Sequence, residues 1–313
     1  MFTSRKLLRA LAPPALATAA LLGLTACGDA GADSGRTSVV ASFYPMAWLA
    51  GKVGGEHVEV RTLTKPGAEP HDLELTGRQI ADVGDADYTV YVKGVQPAVD
   101  DAVAKHAKDK ALDAASVVKT LPVAGDDREH EGEGDGHAHE TEYDPHIWLD
   151  PSRMATIATT LGDRLAAADP ANAAAYKANA KTVAAELTAL DTSFRDGLKD
   201  TERKTIVTAH AAFGYLADRY GLKQVSIAGV DPTSEPSPKR VAELTHEVRA
   251  AGATTVFTET LVSPKVAETL AREAGVRTDV LDPVEGVAKE SPDDYVSIMK
   301  RNLQTLRTAL GAP

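Results

Sequence analysis

From residue 38 onward the chain alternates between two kinds of segment, and this alternation restricts the folds open to it more than any other feature. Strand-like runs are "SVVASF" (38–43), "VEVRTL" (58–63), "YTVYV" (88–92), "KTIVTA" (204–209), "KQVSIA" (223–228), "TTVFTE" (254–259) and "RTDVLDP" (277–283). Between them lie helix-length segments such as "TGRQIADVGDA", "QPAVDDAVAKHA" and "AFGYLADRY". Strands that are always separated by helices cannot form hairpins, so they pair in parallel through crossover connections. Three of the predicted helices open on Ser-Pro, at 237, 263 and 291. Two of these stop at a glycine, Gly252 and Gly275, as expected when Ser caps a helix, Pro fills its first turn and Gly terminates it.

The middle of the chain breaks the rhythm. Residues 125–142 are nearly all Gly, Asp, Glu and His. They lack apolar periodicity and read as a disordered acidic loop. Ser152 to Leu165 and Asn172 to Leu198 are Ala-rich helical tracts; the second, at 1.5 Å per residue, would run about 40 Å, enough to bridge two lobes. The expected fold class is therefore α/β, with two parallel-sheet α/β lobes at 38–150 and 203–313. A helical region at 151–202 joins them through a single long helix, and a ligand site would lie in the interlobe cleft, beyond the carboxyl ends of the strands.

The first 26 residues form a targeting segment. Arg5, Lys6 and Arg9 precede an Ala/Leu-rich run that ends in "LTAC", the layout of a secretory signal peptide. Cys27, the only cysteine, sits where a bacterial lipobox places the residue that is lipidated. A small-residue tether over 27–37 would then carry the folded part. A single cysteine excludes internal disulfides and Cys-based zinc sites. A net charge of −11 argues against a nucleic-acid partner, because phosphate binding needs clustered Lys and Arg.

His71, His146, His210 and Asp282 stand at or near predicted strand ends and helix starts, two from each lobe, with roughly 65 to 75 positions between neighbours. Three imidazoles and a carboxylate suit a borderline divalent ion, zinc first. Each also has a plain structural alternative. His71 would cap a helix, His146 pack beside Trp148 and His210 fill the lobe interface, while Asp282 would set a turn before Pro283. His57, His106 and His246 lie among polar residues and are expected on the surface. His246-Glu247 does not continue as a zinc-protease motif, because Ala250 replaces the second His.

The stretches "PGAEPHDLELTGRQIADVGDADYTVYVKG", "DPHIWLDP", "IVTAHAAFGYLADRYGL", "VFTETLVSPKVAETLAREAG" and "VLDPVEG" together resemble the zinc-type metal-binding lipoproteins of ABC importers. The resemblance runs from about Val39 to the C-terminus. It implies two lobes joined by one long rigid helix, with the metal in the cleft held by His71, His146, His210 and Asp282. Glu69 would supply an oxygen or a supporting hydrogen bond, and His130, His137 and His139 would act as accessory metal collectors on the acidic loop. It further implies Zn2+ as the transported ligand and no catalysis. The protein would be a monomer, lipid-anchored through Cys27 at the outer face of the cell membrane, that docks transiently on an ABC permease and its ATPase. The alternatives are a manganese or iron relative, a metal-dependent surface adhesin, and a hydrolase with an open zinc position and Glu69 as its base.

Overall fold

Two four-stranded sheets repeat one topology. The computed structural model describes residues 1–2, 35–123, 143–233 and 236–313; Cys27, His130, His137 and His139 lie outside the described residues. The first half runs β1 (Thr37–Ala41), α1 (Tyr44–Gly54), β2 (Val58–Thr62), α2 (Gly77–Asp85), β3 (Tyr88–Tyr91), α3 (Pro97–His106) and β4 (Ala111–Asp113). The helical region follows as α4 (Pro151–Ala168) and α5 (Ala173–Leu198). The second half runs β5 (Thr205–Thr208), α6 (Gly214–Tyr220), β6 (Lys223–Ser226), α7 (Pro238–Ala250), β7 (Thr255–Thr258), α8 (Lys265–Ala274), β8 (Arg277–Val280) and α9 (Tyr295–Leu310).

Strand order is β2-β1-β3-β4 in one sheet and β6-β5-β7-β8 in the other, and every pairing within them is parallel. In each half the first strand is flanked by the next two, so the chain reverses direction across the sheet beside the first strand. Such a switch opens a crevice at the carboxyl ends of the strands. β4 escapes the sequence reading because it is only Ala-Leu-Asp, without a β-branched or aromatic residue.

The helix boundaries are set by side-chain caps. Ser237 caps α7 as expected, its oxygen accepting the Arg240 N–H. The other two Ser-Pro pairs do not start their helices. Pro264 stands at the cap of α8. α9 begins at Tyr295, where Asp294 and Ser297 satisfy each other's backbone N–H groups. A reciprocal box satisfies two otherwise unpaired donors, which a lone serine cannot do. Thr76 and Gln79 form the same kind of box at α2. Gln79 Nε2 also donates to Leu63 O at 2.9 Å, pinning both ends of the loop between β2 and α2.

The hydrophobic core is continuous between the halves. Val39, Phe43, Leu49, Trp148, Ile157, Leu187, Phe194, Ile206, Phe213, Tyr295 and Leu306 belong to a single buried cluster. Each sheet thus turns one face to the central helices. Its other face is covered locally, by Val83, Val99 and Val103 in the first half and by Leu244, Val248 and Leu270 in the second. The 26-residue α5 packs along α1 of the first half and α9 of the second. Residues 35–313 form one unit, and a core shared in this way resists hinge motion between halves.

Candidate metal centre

His71 lies in the β2–α2 loop, and two groups hold it in place. The Glu69 carboxylate accepts the His71 backbone N–H, at 3.1 and 3.0 Å to its two oxygens. Buried Gln96 donates to Pro70 O at 3.1 Å and to Thr64 Oγ1 at 2.9 Å. Glu69 therefore supports the loop backbone rather than the imidazole.

His146 precedes a 3-10 turn at Ile147–Leu149. Asp144 Oδ1 takes both its backbone N–H, at 2.9 Å, and its Nδ1, at 2.7 Å. Asp144 is held in turn by Tyr215, whose hydroxyl donates to Asp144 O at 2.6 Å. It also needs Gly214, where a Cβ would stand 2.5 Å from Asp144 Oδ2.

His210 follows β5 and Glu259 follows β7, the neighbouring strand. The carboxylate is bidentate: Oε1 accepts the His210 N–H at 3.0 Å and Oε2 lies 2.6 Å from Nδ1. In both histidines the carboxylate engages Nδ1, so Nε2 is the nitrogen left to face a metal.

These Nε2 atoms converge on one oxygen. Glu285 Oε1 lies 3.3 Å from His210, 3.6 Å from His146 and 3.5 Å from His71. One atom from each of the four residues falls within 4.8 Å of all the others. All four residues are buried, and these four atoms have no hydrogen-bond partner of good geometry. Four ligands at about 2.0–2.1 Å from a tetrahedral zinc stand about 3.3–3.4 Å apart, and the three Nε2 to Oε1 separations lie close to that edge.

The electrostatics agree. Burial opposes protonation of His210, but Glu285 and Glu259 outweigh it and push its pKa up to about 10. Burial likewise opposes protonation of His71, and Glu285 again prevails, so its pKa is raised. His146 goes the other way, lowered by complete burial. Burial favours the neutral form of Glu285, yet His210 and His71 hold its carboxyl far below the usual range. The cluster is a buried anion facing imidazoles, which a divalent cation completes.

Asp282 is not part of this group. Its Oδ1 accepts the Val284 N–H at 2.7 Å, so the loop itself uses the carboxylate, and the fourth group is Glu285, three positions on. Glu285 stands in the same "VLDPVEG" stretch, but attention to the Leu-Asp-Pro pattern passes over it. Sequence reasoning also passes over Asp144 and Glu259. The Asp-x-His spacing of 144 and 146 is a readable signal, whereas Glu259 joins His210 only through strand pairing. His106 and His246 are exposed and His57 is half-buried, away from the cluster.

The sequence profile of the family described as "Zinc-uptake complex component A periplasmic" matches residues 39–309. The zinc-binding lipoprotein AdcA of Streptococcus pneumoniae is 36% identical over 299 residues, 93% of this chain but 59% of that protein, so the chain spans little more than half of that relative's length. The Zn(II)-bound ZnuA-like domain of S. pneumoniae AdcA superposes with a TM-score of 0.74 at 34% identity, covering 88% of this chain and 99% of that one. The high-affinity zinc uptake system protein ZnuA of Bacillus subtilis is 37% identical across 93% of this chain and 95% of its own length. The laminin-binding protein of Streptococcus agalactiae, described as a bifunctional protein with adhesin and metal transporting activity, superposes with a TM-score of 0.76 at 31% identity, over 88% and 99% of the two chains.

Proposed function

This chain belongs to the zinc-uptake complex component A family, and we propose that it captures Zn2+ with His71, His146, His210 and Glu285 and delivers it to an ABC-type permease. It is a binding protein, not an enzyme, as its relatives' roles in zinc uptake indicate. The observation that carries the ligand assignment is the convergence of three unpartnered Nε2 atoms on Glu285 Oε1. Three nitrogens and one carboxylate favour zinc over manganese, which prefers more oxygen and more ligands. A site buried among fixed side chains suits capture and carriage.

The protein acts outside the cytoplasm. The Lys/Arg-bearing leader and Cys27 support a lipid anchor on the outer face of the cell membrane, with the folded part acting as a monomer that docks transiently on the permease and its ATPase. His130, His137 and His139 would gather zinc weakly, since fixing a Gly-rich acidic segment around an ion costs conformational entropy.

Titration of the chelator-stripped protein with zinc, and with manganese in competition, tests the reading. Tight one-to-one zinc binding that His210→Ala and Glu285→Gln both weaken supports it; equal preference for manganese refutes the choice of ion. Adhesion to laminin is a second reading, supported by the likeness to the S. agalactiae protein. Binding of the purified chain to immobilised laminin tests that role separately.

A further inference from the structure

Val284, immediately before Glu285, has φ of 59° and is the only non-glycine residue with positive φ among the described residues. A β-branched side chain is disfavoured there, and such a conformation persists only where its surroundings impose it. Here the surroundings are specific. Asp282 Oδ1 accepts the Val284 N–H at 2.7 Å. The Asn302 side chain, buried on α9, pairs with both backbone groups of Asp282, accepting its N–H at 3.0 Å and donating to its carbonyl at 2.7 Å. Trp148 Nε1 donates to Pro283 O at 2.7 Å, and Tyr295 fixes Trp148 by donating to its carbonyl at 2.6 Å. Val284 is itself fully buried in the shared core.

We propose that Asp282 and Asn302 are positioning residues that hold Val284 in this left-handed conformation and so fix Glu285 Oε1 where the three imidazoles meet. The proposal rests on the reading of Glu285 as a metal ligand. If Val284 relaxed to negative φ, the Glu285 side chain would leave along a different direction and its carboxylate would no longer sit centrally. A glycine at 284 would reach the same φ without strain, but it would reach the alternatives equally well. Valine with these tethers admits one arrangement, which pre-forms a compact four-ligand shell and disfavours ions that need more ligands. Trp148 adds a link to the ligand set, because it lies two residues after His146 and holds the carbonyl beside Val284.

The test uses the full chain, stripped of metal and loaded with cobalt(II), whose visible absorption is strong in four-coordinate sites and weak in six-coordinate ones. Zinc affinity is read in parallel by chelator competition, and folding by circular dichroism. Asp282→Ala is expected to lower zinc affinity roughly 10–100-fold and weaken the cobalt bands, while Asp282→Asn, which keeps an acceptor for the Val284 N–H, retains both. Trp148→Phe keeps the buried ring and removes one tether. It is expected to shift both readouts the same way by less, and it decides the matter if Asp282→Ala does not fold. A folded Asp282→Ala protein with wild-type affinity and spectrum, alongside a Glu285→Gln protein that has lost both, overturns the proposal. Wild-type behaviour of Glu285→Gln instead refutes the ligand reading on which it rests.

Discussion

The Nδ1 of His210 lies 2.6 Å from one oxygen of Glu259, while the other oxygen accepts the His210 backbone N–H at 3.0 Å. The same carboxylate thus fixes the ring's tautomer and the position of its Cα. Glu259→Gln keeps a side chain of the same shape but removes the negative charge that stabilises a metal-bound imidazole. Its zinc affinity should fall roughly 10–100-fold, the usual cost of losing such a partner. Competition against a chelator of known affinity measures the change, with Glu268→Gln, at an exposed glutamate on α8, as the unaffected control.

On the proposed ligand set, zinc and a proton compete for His210. Its pKa is pushed up to about 10, so the metal-free protein carries a proton there at pH 7 that zinc must displace. Capture near neutral pH should release at least one proton per ion, because the His71 pKa is raised as well, and affinity should climb as pH rises towards 10. Calorimetric titrations in two buffers of different ionisation enthalpy read the proton number directly. Stability follows the opposite course in the metal-free chain. A folded pKa above the unfolded value of about 6.5 means that the protonated pair contributes fully below about pH 6.5. This contribution is lost as pH rises to about 10. Thermal melts of the metal-free protein should therefore show Tm declining across that window, and melts of the zinc-loaded protein should not.

The sequence carries the fold because its determinants are local. β-branched runs, helix-length spacers and the length of α5 are all readable in one dimension, and all four clustered residues sit in stretches with recognisable neighbours, although only the three histidines stand out there. What stays hidden depends on the third dimension. Glu285 rather than Asp282 joins the buried group because the Pro283–Val284 turn redirects the chain, while Asp282 Oδ1 accepts the Val284 N–H. Glu259 meets His210 through the β5–β7 pairing, which no spacing rule reports. The three residues of β4 are too few to show a period of two.

The long helices make close contact through a glycine. A Cβ at Gly162 would overlap the Cβ of Ala180 and come within 3.2 Å of Tyr176 O, so α4 and α5 approach there backbone to side chain. Gly162→Ala raises helix propensity by up to about 1 kcal/mol but overfills the contact, which typically costs about 1–3 kcal/mol. The expected net effect is destabilisation, read as a lower urea midpoint with unchanged slope. Zinc affinity of the folded protein should be unaltered, because none of the cluster's hydrogen bonds passes through this pair.

Removal of residues 129–140 separates the acidic segment from the cleft. His146 lies outside that deletion, as does its partner Asp144, and the hydrogen bonds that hold the two run to Tyr215 and to each other. Leu121, whose carbonyl accepts the Asp144 N–H at 2.9 Å, is also retained. The deletion leaves residues 124–128 and 141–142 to connect Val123 with Tyr143. That connection is long enough, because Pro122 and Tyr143 already lie side by side in an antiparallel bridge. Tight zinc binding should therefore survive with one ion per chain, while the weaker additional binding expected of the full chain should disappear. Titration of both proteins under identical conditions checks this. A shortened chain that loses the tight event would place a ligand in the deleted segment and remove His146 from its role.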